Sequence, residues 1–183
     1  MFVDAHAKAA AAIRAATGVP VGLTLAMSDD QAAPGGEAAL AAHHRDWEDP
    51  YLETARGDDF IGVQTSTRRC FGPGGCWTPS RGVSLTTMGY EVWPQALGAT
   101  IRHAAAATGV GVLVTENGIA TDDDTQRMAF VGRALESVLA RLPAHLRTDD
   151  LRVRVTALAR AAVALGQLLG RALVGCGADH QDL

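Results

Sequence analysis

The sequence predicts an α/β protein in which parallel strands alternate with helices. Segments of helical composition alternate along the chain with short apolar runs, which is the pattern that βα units produce. The runs are apolar on both faces, as strands buried in a parallel sheet are. One junction also recurs: residues 15–21 resemble residues 106–112, and both join a helix end to a buried strand through Thr-Gly-Val.

Each predicted element has its own local signal. The first helix is Ala-rich and meets a natural stop at Gly18. A break is expected before Pro50, because the residue preceding a proline disfavours helix. Pro94 suits the first turn of the third helix, and the acids at 122–124 suit the dipole at the start of the fourth. The predicted helices are 2–17, 37–55, 94–108 and 122–142, the strands are 19–27, 60–65 and 110–115, and the loops are 28–36 and 66–88.

Charge and cysteine content exclude several classes of protein. A net charge of −4 and a pI of about 5.8 leave no broad basic face for nucleic acid. The 3 cysteines predict no disulfide framework, so we expect a reducing, cytoplasmic location. We expect neither a signal peptide nor a membrane span. The N-terminus lacks a basic and apolar leader, and Gln167 and Arg171 interrupt the apolar stretch 161–178.

The end of the third strand carries the most chemical information. An apolar run ends abruptly in Glu116, and Asn117 and Gly118 can turn the backbone away from it. In parallel α/β architectures, the carboxyl ends of the strands carry the chemistry. A strand that ends in Glu-Asn-Gly is also often only a solvated turn, so these residues alone leave both interpretations open.

A wider pattern surrounds this segment. Residues 115–118, Thr-Glu-Asn-Gly, resemble the nucleophile signature of the family-1 glycoside hydrolases, and most of all the bacterial β-glucosidases. Residues 59–64 resemble the strand that enters the active site of that family, and residues 88–97 resemble the run before its next helix. The resemblance covers about residues 1–140 in the right order, which is far more specific than one tetrapeptide.

The resemblance implies a retaining mechanism with two carboxyl groups about 5–5.5 Å apart, one attacking and the other serving as acid and then base. Glu116 would be the nucleophile, the substrate a β-glucoside or related oligosaccharide, and no cofactor would be needed. The implied fold is a partial (β/α)8 TIM barrel of about strands five to seven. A closed barrel takes about 250 residues, and this chain has 183.

Several positions depart from the family. Its acid/base glutamate lies in an Asn-Glu-Pro strand, and no Asn-Glu-Pro occurs here. The Asn and Tyr that support the nucleophile map to Gln64 and Ser66, and a Ser hydroxyl does not reach as far as a phenol. Trp77 in the long loop either stacks on a sugar or anchors packing. We expect the isolated chain to be inactive, and its open barrel edges to favour self-association.

Two pairs of residues suggest metal ligands but lack a complete set. Adjacent His43 and His44 are expected to point to different sides of a helix, with no third ligand spaced for them, so we expect a solvated face. Five residues separate Cys70 from Cys76, whereas a zinc pair usually has two to four between. A loop disulfide or free thiols are expected there. The sequence thus predicts no metal site.

Residues 141–183 form a second segment that departs from the family. The family has a strand and a sugar-binding loop with Trp and Glu here, and this segment contains neither residue type. Its Ala/Leu pattern predicts a helix at about 151–173, and its composition resembles a GC-rich coding sequence read out of frame. Two other interpretations stay open: a non-catalytic remnant of a truncated reading frame, and an interaction protein whose tail helix packs on a partner.

The frameshift hypothesis has a test that needs only the gene. If a shift produced residues 141–183, the same DNA read one base over should encode a segment of the form Trp-x-x-x-Asp-Asn-x-Glu-Trp. Sequencing the gene through its 3′ end decides the question. If no frame yields that pattern, the tail is a helix selected in its own right.

Overall fold

The computed structural model describes residues 2–76, 79 and 82–140. A compact unit ends at Ala140. Trp77 and the tail at 141–183 lie outside the described residues, so what the sequence predicts for them stays a prediction. The elements in chain order are α1 (Phe2–Thr17), β1 (Gly22–Ala26), β2 (Asp29–Ala32), α2 (Glu37–Trp47), α3 (Asp49–Ala55), β3 (Phe60–Thr65), β4 (Arg68–Gly72), β5 (Gly75–Cys76), α4 (Ala96–Thr108), β6 (Gly111–Asn117) and α5 (Asp124–Leu139).

A three-stranded parallel sheet with the order β1–β3–β6 forms the centre of the unit. Helices connect its strands, since α2 and α3 precede β3 and α4 precedes β6. This arrangement confirms the predicted α/β class with parallel strands. Within the described part of the chain the sheet is open, because β1 and β6 each pair only with β3 in it.

Helices cover one face of this sheet. Ile61 and Val63 of β3 are both 0% exposed. They pack with residues of α3 and α4 and with alternate residues of the flanking strands, namely Leu52, Ala55, Ala104, Leu23, Leu25 and Val112. Successive strand residues point to opposite faces, so Phe60, Gly62 and Gln64 point away from the helices. The sheet therefore has one covered face and one open face, and on the open face Leu113 is 51% exposed.

A second small sheet lies in the two segments predicted to be loops. β2 pairs in parallel with β4, and β4 pairs antiparallel with β5. The loop prediction was wrong at β2 because Asp-Asp-Gln-Ala has a poor intrinsic strand propensity, which long-range contacts override. Arg69 of β4 donates two hydrogen bonds of 2.8 Å to the carboxylate of Asp30, and the indole of Trp93 donates one of 2.8 Å to Asp29.

The predicted helices are confirmed in position, with small shifts at their ends. The expected break before Pro50 falls at Glu48, between α2 and α3. α4 ends at Gly109, whose φ of 74° is a left-handed conformation that glycine adopts without steric cost. α5 begins after Asp123, whose carboxylate accepts hydrogen bonds from the backbone of Thr125 and Gln126. Among the described residues, no helix is both long and apolar enough to cross a membrane.

α4 and α5 pack closely because of a glycine at their contact. A Cβ on Gly98 would lie 2.6 Å from the carbonyl oxygen of Ser137 in α5, too close for any side chain. The Ser137 hydroxyl lies in the same contact and accepts a hydrogen bond of 3.1 Å from the backbone of Gly98. Gly132 of α5, in contrast, faces open space, since nothing lies within 4 Å of a Cβ built there.

This difference predicts opposite effects for two chemically identical substitutions. Gly98→Ala should lower the free energy of unfolding by about 1–3 kcal/mol, because the methyl group forces α4 and α5 apart. Gly132→Ala should raise it by up to about 1 kcal/mol, because only the helix propensity changes. Urea denaturation followed by circular dichroism measures both. Equal effects of the two substitutions would contradict the close approach at Gly98.

Candidate functional site

Glu116 lies at the carboxyl end of β6, one residue before the strand ends. Its register partner on the central strand is Gln64, and the partner of Gln64 on β1 is Ala26. The three carboxyl ends therefore meet at one edge of the sheet, as the sequence predicted. Glu116 is exposed, and within the described part of the chain its carboxylate makes no hydrogen bond or ion pair.

A β-bulge determines which way Glu116 faces. Val63 pairs with Val114, but the next residue, Gln64, pairs with Glu116, so Thr115 is the extra residue of β6. Without the bulge, strict alternation along β6 would place Glu116 on the same face as Val114, which is the face that the helices cover. With it, Glu116 is the partner of Gln64 and shares the open face. Bulges that re-aim a side chain in this way occur often next to active sites.

Two further contacts hold this end of β6 against β3. The side-chain amide of Asn117 donates a hydrogen bond of 2.7 Å to the carbonyl of Thr65, and the Thr115 hydroxyl donates a longer one of 3.4 Å to the carbonyl of Val63. Gly62 makes room for the bulge, since a Cβ there would lie 2.4 Å from the Thr24 hydroxyl oxygen and 3.1 Å from the Thr115 methyl. Asn117 thus orients the backbone next to Glu116.

The candidate residues from the sequence are brought together only in part. Gln64, Glu116 and Asn117 lie at the same edge, and Ser66 follows directly after β3 ends. Trp77 lies outside the described residues. Among the described ends of these three strands, Glu116 is the one carboxylate, because β1 ends in Ala26 and β3 ends in Gln64 and Thr65. A mechanism with two carboxyl groups would need the second from another part of a protein.

The segment before α4 is attached to the small sheet by a polar network. The indole nitrogen of Trp93 donates a hydrogen bond to Asp29. The guanidinium of Arg68 stacks on the indole ring of Trp93, 3.9 Å from the ring centre. Arg68 also donates a hydrogen bond of 2.6 Å to Glu91. The sequence placed Glu91 and Trp93 in the segment 88–97 that resembles the family, and Asp29 and Arg68 in predicted loops, with no contacts assigned. Their partners are 23 to 64 residues away in the chain, so no local signal could have revealed the network.

A second group of polar residues lies in the helix layer. His103 of α4 and Glu48 form a hydrogen bond of 2.6 Å, and Glu48 is 5% exposed. Burial alone would raise the pKa of Glu48, but the hydrogen bond and charge of His103 outweigh burial and hold this pKa below its ordinary value. The hydrogen bond to Glu48 in turn raises the pKa of His103. The pair joins the end of α2 to α4.

The structure differs from the solvated face that was expected for His43 and His44. Their Nε2 atoms lie 3.5 Å and 3.6 Å from the same carboxylate oxygen of Asp30, which is buried. His44 also lies beside His103, with 5.2 Å between the ring centres. The expectation of a solvated face was wrong because Asp30 belongs to the unpredicted strand β2, and His103 is far away in sequence. Cys70 is a free thiol in β4, and burial raises its pKa.

An open parallel sheet with a carboxylate at the carboxyl end of one strand is consistent with part of a (β/α)8 barrel enzyme, whose active site lies at that end of the strands. Comparison with solved structures supports this class. A β-glycosidase, BGL167, matches with a TM-score of 0.70 and 48% identity over 74% of this chain and 33% of its own. The apo structure of a β-glucosidase designated 1317 matches with a TM-score of 0.71 and 40% identity over 76% and 34%.

More distant matches extend to enzymes from thermophiles. A β-glucosidase from Thermotoga maritima, in complex with deoxynojirimycin, matches with a TM-score of 0.60 and 19% identity over 77% of this chain and 43% of its own. Another structure from that organism is described as a family 1 β-glucosidase. No protein-family model matches the sequence, and no curated protein does either.

The resemblance to the family-1 β-glucosidases is thereby confirmed, and the chain spans about a third of the length of the first two structures it matches. The partial TIM-barrel fold is confirmed with it.

The hydrogen bond of Asn117 predicts a graded response to substitution. Asn117→Ala should lower the free energy of unfolding by about 0.5–1.5 kcal/mol, because the bond to the Thr65 carbonyl is lost. Asn117→Asp should lower the free energy of unfolding further at pH 7, because a carboxylate cannot donate a hydrogen bond and its negative charge faces the Thr65 carbonyl oxygen. This extra cost should shrink below about pH 4, where the carboxyl group is protonated.

The matched control is Thr87→Ala, which removes an exposed hydroxyl that also donates to a carbonyl, that of Ala120. Its effect should stay within about 0.5 kcal/mol, as is usual for surface positions. Urea denaturation at pH 7 and pH 3.5 measures all three variants. An Asn117→Asp variant as stable as the original chain at pH 7 would show that the amide does not hold the two strand ends together.

Proposed function

We propose that residues 1–140 supply the nucleophile side of a retaining β-glycosidase site, with Glu116 as the nucleophile. The observation that carries this proposal is the position of Glu116: it ends a parallel strand, and the bulge at Thr115 makes it the partner of Gln64 on the open face. The 48% identity to a β-glycosidase supports the assignment of that carboxylate to glycoside chemistry.

In the proposed reaction, a carboxylate oxygen of Glu116 attacks the anomeric carbon and the bond from that carbon to the glycosidic oxygen breaks. A second carboxyl group donates its proton to the departing oxygen. Water then attacks the anomeric carbon of the glycosyl ester, giving a proton to the second carboxylate and releasing Glu116. No cofactor takes part. Glu116 suits the first role because it is exposed and carries no competing hydrogen bond from the described residues.

The neighbouring residues have supporting roles in this proposal. Gln64, next to Glu116 on the same face, would contact the sugar or the nucleophile. Asn117 would orient the strand end through its bond to Thr65. Ser66 would stand where a longer phenol supports the nucleophile in the family that the sequence resembles. Trp77, outside the described residues, would stack on the sugar at the leaving-group side.

The substrate in this proposal is a β-glucoside or a related oligosaccharide. The structure from Thermotoga maritima contains deoxynojirimycin, and a likeness to it supports a sugar as the ligand class. We further propose that the chain self-associates through the edges of β1 and β6, which pair only with β3 among the described residues. A cytoplasmic location completes the proposal and accords with the free thiol of Cys70.

The chain by itself should not turn over substrate, because its sequence has no Asn-Glu-Pro acid/base strand. A chimera tests the role of Glu116 directly. In it, residues 1–140 of this chain replace about the matching third of the 48%-identical β-glycosidase, which keeps its own remaining strands. We expect the folded chimera to hydrolyse an aryl β-glucoside. Glu116→Gln in the chimera should reduce kcat at least by the about 10²–10⁴-fold that a positioned acid–base group contributes.

Glu53→Gln is the control for the loss of a carboxylate. Glu53 is exposed in α3, and among the described residues its ion pair is with Arg56, which is also exposed. It should leave kcat unchanged, because exposed ion pairs contribute little. Circular dichroism establishes that each variant is folded. A folded chimera whose activity survives Glu116→Gln, or substantial turnover by the 183-residue chain alone, would refute the proposed division of the site.

A further inference from the structure

Three potential metal ligands converge in the helix layer, on elements other than the strand that carries Glu116. His44 and Glu48 are four residues apart at the end of α2, and His103 lies in α4. One ligand atom from each lies within 4.8 Å of the other two. We propose that His44, Glu48 and His103 bind one divalent metal ion of the Zn²⁺ type. The proposal is independent of any glycosidase function.

The chemistry of the three side chains suits such an ion. Imidazole nitrogen and carboxylate oxygen are ligands that Zn²⁺ accepts at about 2.0–2.2 Å, in tetrahedral geometry. Ligand atoms on a tetrahedron of that size are about 3.4 Å apart. Oε1 of Glu48 and Nε2 of His103 are 2.6 Å apart, so the site forms when these two atoms separate by less than about 1 Å and the ring of His44 moves in. Water takes the fourth position.

The backbone already holds the ligands in place. Residues four apart in a helix lie on the same face, and the backbone N–H of Glu48 donates a hydrogen bond of 2.9 Å to the carbonyl of His44. The Glu48 side chain is 6% exposed, whereas those of His44 and His103 are 23% and 41% exposed. The buried carboxylate therefore forms the floor of the site, and the two rings at its mouth leave an ion a path from solvent.

The surrounding charge also favours a cation. The negative charges of Glu48, Asp49 and Asp30 all act on His103, and the guanidinium of Arg69 acts on Glu48. Asp30 forms two hydrogen bonds with Arg69, so it acts as an outer charge beside His44 and leaves the ligand positions to the other three residues. A metal ion here joins α2 to α4.

Zinc titration of the whole 183-residue chain tests the proposal. The chain is stripped with EDTA, desalted and titrated with Zn²⁺ against a chromophoric chelator. We expect one site that weakens in both His44→Ala and His103→Ala by more than the about 10–100-fold that loss of an outer partner costs. Zn²⁺ should also raise Tm of the original chain, because it binds the folded state, and raise it much less in His44→Ala.

His6→Ala is the matched control, because His6 also hydrogen-bonds a buried carboxylate, Asp58 at 2.8 Å, but belongs to no three-ligand group of the described residues. It should leave Zn²⁺ affinity unchanged. Co²⁺ in place of Zn²⁺ should give no thiolate charge-transfer band, which separates this site from cysteine ligation.

His44→Ala keeps the test decisive if His103→Ala fails to fold, because the ion contact of His44 with Asp30 is long, at 3.6 Å, and Ala has a high helix propensity in α2. The proposal is overturned if the original chain does not bind Zn²⁺. It is equally overturned if His44→Ala binds Zn²⁺ as tightly as the original chain, since the ion then lies elsewhere and Glu48 and His103 form only an ion pair.

Discussion

The unit depends on the central strand, β3. It is the one strand of the parallel sheet with a partner on both sides, and its alternation fixes the two faces of the sheet. Ile61 and Val63 are fully buried beneath α3 and α4, and burial of such a side chain contributes about 1.5–3 kcal/mol. A slip of one residue would expose both and bury Gln64. The register that places Gln64 beside Glu116 is therefore set by apolar burial on the opposite face.

The bulge at Thr115 is a second constraint on the sheet, and it interrupts the regular alternation of faces that pairing with β3 would impose on β6. Regular pairing would carry β6 onward with Val112, Val114 and residue 116 on the covered face, where a carboxylate would be desolvated at high cost. The extra residue reverses the alternation after Val114, so Val112 packs under the helices while Glu116 reaches the open face. One irregularity thus reconciles a buried strand with an exposed acidic end. The bond from Asn117 to Thr65 maintains the pairing beyond the irregularity.

Polar groups are organised differently in the helix layer. The side chains of Asp30 and Glu48 are buried, and each carboxylate has a more exposed basic partner in the described chain, Arg69 and His103 respectively. A buried carboxylate without a partner is strongly destabilising. Arg69 joins β4 to β2 through Asp30, and Trp93 attaches the segment before α4 to β2 through Asp29. Acids and histidines also meet where α2 packs near α4, and there the side chains of His44, Glu48 and His103 converge. Neither helix supplies all three residues by itself.

Much of the architecture follows from local sequence. The alternation of helix and apolar strand, the bounds of α1 and β3 and the acidic first turn of α5 depend on interactions within a few residues, and all are confirmed. The position of Glu116 at a strand end is also local, because an apolar run followed by Glu-Asn-Gly ends a strand wherever it pairs. These features could be predicted because their energies do not depend on distant partners.

The sequence by itself thus determined the α/β class, the alternation of helices and parallel strands along the chain, and the position of one carboxylate, Glu116, at the end of β6. Only the tertiary structure decided that Asp29–Ala32 is a strand, that β6 contains a bulge, and that His103 meets Glu48. Each of these depends on a partner 39 to 64 residues away or on the register of a neighbouring strand. Such contacts exist only when distant segments are packed together, and the local propensity of either segment does not predict them.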